Sequence, residues 1–71
     1  VRIPRDVSGK DAAKAFRRVG FVHLRTTGSH FIARKDGITL AIPLHRTLRL
    51  GTLKGLIDQS GLSLEEFCAL L

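Results

Sequence analysis

The chain contains no tryptophan, no tyrosine and no methionine, and only one cysteine and two prolines among 71 residues. Four phenylalanines are its whole aromatic complement. With Phe16, Phe31 and Phe67 at expected core positions, too few remain to build the stacking platform of an RNA-recognition-motif sheet. A lone thiol, Cys68, closes no internal disulfide and, lacking a second, gives neither a redox pair nor a structural zinc site. It reads as a small buried apolar residue. No apolar run nears the ~20 residues that span a bilayer, and no basic, apolar, small-residue leader opens the chain. The cytoplasm is the expected compartment, with no membrane partner.

Acidic residues are also scarce: six Asp and Glu stand against twelve Lys and Arg, a net charge of +6 with a pI near 10.8. On so small a surface that field attracts polyanions, so nucleic acid or an acidic protein is the expected partner. The basic residues run from Arg2 to Lys54, whereas the last thirteen residues carry only Glu65 and Glu66 as charges. Any basic surface therefore comes from the first three quarters of the chain. Residues 1–71 read as a single domain, globular in composition, too small for a large internal active-site cavity.

Organisation follows from the spacing of apolar residues and from punctuation. Ser8, with Asp11 three residues on, is a variant capping box that predicts a helix from about Gly9 to Val19. Ala12, Phe16 and Val19 share its inner stripe, Lys10, Lys14, Arg17 and Arg18 lie largely elsewhere, and Gly20 supplies the stop. From Phe21 the period becomes two: "FVHLRT", "HFIAR" and "ITLAIP" predict three strands. Thr27-Gly28-Ser29 makes the first turn and Asp36-Gly37 the second. Thr52 is the expected cap of a second helix, "LKGLIDQS", closed by Gly61. Ser63 and Glu66 form a capping box for a last helix with Leu64, Phe67, Cys68 and Leu71 inward. The fold class is α+β, order α-β-β-β-α-α, a three-stranded antiparallel sheet with helices packed on one face.

Alternation then predicts what the open face displays. With Phe31, Ala33, Ile38, Leu40, Ile42, Val22 and Leu24 directed to the helices, His23, Arg25, His30, Ile32, Arg34, Thr39 and Ala41 point away. Arg25 and Arg34 are the best placed of the many cations, Lys35 included, to grip phosphate by charge-assisted hydrogen bonds.

The ordered segments "RRVGFVHLRTTGSHFIAR", "IPLH" and "LRLGTLKGLIDQSGLSLEEFCALL" resemble the HicA toxins of toxin–antitoxin pairs. The resemblance runs from about Ser8 to Leu71, making 1–71 a single HicA-like domain. Phe21 stands where that family often has tryptophan, a departure that touches packing more than chemistry. The resemblance implies a fold similar to the double-stranded RNA-binding domain, an mRNA-cleaving endoribonuclease activity, and a HicB-like antitoxin that masks the site. It also implies that the histidine of the Gly-Ser-His motif, His30, is catalytic.

The chemistry suits those residues. RNA carries its own nucleophile, the 2′-hydroxyl, so strand cleavage requires only proton transfer and stabilisation of the added negative charge. An imidazole with an ordinary pKa of ~6.5 does the first and arginines or backbone amides the second. No cofactor is expected. His23, His30 and His45 lack the nearby carboxylate or helical pairing of a metal site. Gly28 would let backbone approach the phosphate, and Ser29 would donate to it or orient the ring. His23 and His45 are candidates for the second proton transfer. A non-catalytic RNA-binding module is the alternative reading, and a protein-interaction domain a third.

Overall fold

The computed structural model describes residues 2–71. Helix α1 (Gly9–Arg18) is followed by strands β1 (Val22–Thr27), β2 (His30–Lys35) and β3 (Ile38–Pro43), then by helices α2 (Leu50–Ser60) and α3 (Leu64–Leu70). The strands form one antiparallel sheet in the order β1-β2-β3. This is the predicted α+β arrangement and element order.

Punctuation placed most boundaries correctly. Ser8 caps α1, its hydroxyl accepting from the Asp11 N–H at 3.0 Å, and Gly20, with φ 110°, follows the helix end. In α3 the Ser63 N–H donates to Glu66 Oε1 at 2.9 Å and the Glu66 N–H donates back to Ser63 Oγ at 3.1 Å. Donation to the carboxylate from the Ser63 backbone N–H, and then from the Ser63 side chain, favours the charged form of Glu66 and holds its carboxyl below the usual range. The start of α2 differs from expectation: the helix begins at Leu50, with Arg49 in the cap position and no side-chain cap, so Thr52 lies inside it. Tertiary packing sets this start instead. Leu48 is buried and its N–H donates to the Val7 carbonyl at 2.7 Å, which fixes the chain just before the helix.

The core lies between the helices and the β2–β3 half of the sheet. Phe16, Phe67, Leu40, Ile42 and Leu53 are its largest fully buried side chains, each contributing about 1.5–3 kcal/mol relative to exposure. The Phe16 ring meets Phe67 at 5.1 Å and Phe21 edge-on at 5.7 Å between centroids. Cys68 is only half-buried and Leu71 is exposed, contrary to prediction. Leu64 and Leu70 pack against the core beside Phe67, and Leu71 falls beyond the helix end.

Strand β1 is the main correction. All six of its residues are exposed, and the predicted inward pair Val22 and Leu24 are 61% and 49% exposed. The register explains the phase. His23 pairs with Ala33 but Arg25 pairs with Ile32, so Leu24 is an extra residue in a β-bulge. Before the bulge, His23 lies on the helix-facing side, opposite to expectation; after it, Arg25 lies on the outer side as expected. On β2 and β3 the alternation holds, with Ala33, Leu40 and Ile42 buried and His30, Arg34, Thr39 and Ala41 exposed.

Gly9 fixes α1 to the far end of β3. A side chain there would collide with the Pro43 carbonyl and approach Leu44 Cα to 2.7 Å, and the Gly9 N–H donates to the His45 carbonyl at 2.9 Å. Only glycine permits this approach.

Candidate active site and nucleic-acid interface

His30 is the first residue of β2, and two tight turns decide what surrounds it. Gly28-Ser29 closes the β1–β2 hairpin and aligns His30 with Thr27; Gly28 has φ 58°, a conformation suited to glycine. Asp36-Gly37 closes the second hairpin and aligns His30 with Pro43. The outer face thus carries a row of Thr27, His30 and Pro43 at one end, then Arg25, Ile32 and Ala41, then Val22, Arg34 and Thr39. No acidic residue occurs among the nine. Strand rise places the Arg25 row about 7 Å and Arg34 about 13 Å along from His30.

His30, Arg25 and Arg34 are exposed on that face. Arg34 is steadied by donation from Nη1 to Thr39 Oγ1 at 2.9 Å, which leaves the rest of its guanidinium open to an anion. Ser29 is exposed in the turn, and its carbonyl accepts from the Leu44 N–H at 2.6 Å. That bond extends the β2–β3 pairing past Pro43 and secures the turn bearing the histidine. Lys35 lies elsewhere. It sits on the helix-facing side at the opposite end of β2 from His30, and its ammonium donates to the Val19 carbonyl at 2.8 Å, serving the C-terminus of α1.

The other two histidines separate. His23 lies on the helix-facing side, its ring stacked on Phe31 at 4.3 Å between centroids and its Nε2 hydrogen-bonded to Thr26 Oγ1 at 2.9 Å. His45 lies two residues beyond Pro43, at the His30 end of the sheet, exposed, with its carbonyl bound to the Gly9 N–H. Of the two candidates for a second proton-transfer group, His23 lies on the face opposite His30, and His45 follows β3 at the His30 end. Two-residue turns at 28–29 and 36–37 carry this information in the sequence, because they dictate pairing of residue 30 with 27 and 43. Nothing comparable in the sequence signals the bulge that moves His23.

Electrostatically, the basic excess is left free. The sole ion pair among the described residues is Lys54–Asp58 at 3.0 Å, one turn apart on α2. Among those residues no three of His, Cys, Asp and Glu gather as ligands for a metal ion.

Comparison with known proteins matches residues 9–62 to the family model of the HicA toxin of bacterial toxin–antitoxin systems. No curated protein matches the chain. The matched span holds α1, the whole sheet, α2 and the Gly61 stop; α3 lies beyond it. The expected resemblance reached Leu71, so its last nine residues fall outside the match. With the match covering more than half of its length, the chain belongs to the family of HicA toxins of toxin–antitoxin systems.

Proposed function

We propose that this toxin is a metal-independent endoribonuclease that cleaves mRNA, with His30 as its proton-transfer group. The observation that carries the reading is the placement of an exposed histidine at a glycine turn, beside an outer face that bears Arg25 and Arg34 and no acid. An RNA strand laid along that face has phosphates against the arginines and one at His30. The 2′-oxygen attacks the adjacent phosphorus as its proton passes to a base, and the bond to the 5′-oxygen breaks as an acid returns a proton. A 2′,3′-cyclic phosphate and a 5′-hydroxyl remain. His30 takes one of these proton transfers and His45 is the candidate for the other. Arg25 and the exposed backbone around Gly28 and Ser29 stabilise the added charge.

A HicB-like antitoxin is the proposed partner, an acidic surface steered to the basic face and covering His30. The sheet with helices on one face also suits the proposed likeness to double-stranded RNA-binding domains, which hold RNA through shape and phosphate. The mechanism is tested by its products. Cleaved RNA should end in 2′,3′-cyclic phosphate and 5′-hydroxyl, and a single 2′-deoxy substitution at the cleaved nucleotide should stop the reaction. Cleavage of the 2′-deoxy substrate at the normal rate would rule out this chemistry, and absence of any cleavage would leave an RNA-binding module.

A further inference from the structure

The helix-facing side of the sheet is incompletely covered, and a groove of about 280 Å³ opens between α1 and β2. Ala13, Phe31 and Leu44 give it an apolar floor, and Lys10, Lys14 and Arg17 form its rim. Phe31 was expected in the core; it is half-buried here, because β1 sends no apolar side chain over it. On β1 the ring of His23 stacks against Phe31 and is itself held by Thr26. The floor is thus an aromatic ring fixed in orientation.

The rim is equally specific in sign. Lys10, Lys14 and Arg17 fall at i, i+4 and i+7, so like charges face one another along a helix, an arrangement that disfavours the helix by itself. None of them has an ion-pair partner among the described residues. Asp11 faces the other side of α1, where a second cleft, of about 340 Å³, mixes Asp6 and Asp11 with Lys14 and Arg18 and so concentrates neither sign.

Position links this groove to the candidate active site. Phe31 follows His30 directly and points to the opposite face of the same sheet end. Leu44, on the groove floor, is bonded to Ser29, and Gly9 ties the start of α1 to His45. A strand passing His30 and rounding the sheet end would next meet Leu44, Phe31 and the cationic stripe of α1.

Resting on the endoribonuclease reading, we propose that this groove is a second RNA subsite, taking one unpaired nucleobase of the substrate against Phe31. Flanking phosphates lie along Lys10, Lys14 and Arg17. Its volume is near the lower limit of small-ligand clefts (~300–1,000 Å³), enough for one ring system and too little for a helix. The apolar floor favours RNA over an acidic peptide: glutamate side chains would satisfy the rim but leave the aromatic floor uncovered, whereas a nucleotide supplies both an anion and a flat ring.

The test uses the His30→Ala protein as a non-cleaving background and a fluorescent nine-nucleotide single-stranded RNA. Adding Lys10→Ala, Lys14→Ala and Arg17→Ala together should weaken binding at least tenfold and flatten the log–log salt slope by about 2, as expected for three lost single-strand phosphate contacts. Phe31→Leu should weaken binding about fivefold to a hundredfold, and one abasic position in the RNA should erase that difference. Wild-type affinity and salt slope in the triple variant would overturn the subsite. So would a Phe31→Leu defect that no abasic position removes, which would mark a packing effect only. An oligo-glutamate peptide is titrated in parallel; if its binding falls in the triple variant while RNA binding does not, an acidic protein occupies the groove and RNA is excluded. Cleavage surviving in the His30→Ala protein would instead defeat the role given to His30, absence of cleavage by the unsubstituted protein would defeat the endoribonuclease reading, and in either case the binding series would still decide the groove.

Discussion

The two halves of the sheet do different work. Strands β2 and β3 bury Ala33, Leu40 and Ile42 beneath the helices, whereas β1 buries nothing and is held by its ladder and its two-residue turn. Burial constrains the first half to shape and apolar character. The second is free of that constraint and carries Arg25, His23 and the approach to Gly28 and Ser29. In a chain of 71 residues, the candidate site draws exposed positions from both halves, Arg25 on β1 and His30 and Arg34 on the outer side of β2.

Substitution should expose that contrast. The largest expected effect is at Phe16, fully buried among Phe21 and Phe67. Phe16→Ala should cost about 3–5 kcal/mol, comparable to the whole stability of a small domain, and leave little folded protein by circular dichroism. Gly9→Ala should follow, costing about 1–3 kcal/mol in urea unfolding as α1 is forced from the Pro43–Leu44 backbone. Ser8→Ala should cost about 1 kcal/mol through its lost cap. On β1, Val22→Thr should change stability by no more than about 0.5 kcal/mol; a loss as large as that at Gly9 would erase the distinction between the halves.

A smaller effect appears with acid. The capping bonds depress the Glu66 pKa, so the native state binds its proton less readily than the unfolded chain. This contribution to stability is complete above the ordinary carboxylate range and fades as pH falls through the lowered value. Glu66→Gln should flatten that part of the acid limb of the unfolding midpoint, with little change in cleavage near neutral pH.

The sequence was most informative where local chemistry decides structure. Ser8 and Ser63 marked helix starts, Gly20 and Gly61 marked ends, and the two glycine turns set the register that brings His30 opposite Thr27 and Pro43. It was least informative where packing decides. Alternation in "FVHLRT" predicts inward Val22 and Leu24, but an extra residue at Leu24 reverses the phase, and a bulge in an uncovered edge strand has no hydrophobic pattern to reveal it. The same absence of cover leaves Phe31, which alternation predicts in the core, only half-buried. The sequence offers Lys35 as a phosphate-binding cation, yet its length lets it reach back to Val19, a contact set by how α1 docks on the sheet.

If His30 serves the proposed cleavage and not the fold, the His30→Ala protein separates the two. Cleavage of a defined mRNA and the thermal unfolding midpoint should be measured on the same preparation. Cleavage should fall about 100-fold or more, the usual range for a lost proton-transfer group, with an unchanged midpoint. Cleavage within a few-fold of the starting protein, at the same midpoint, would contradict that role for His30.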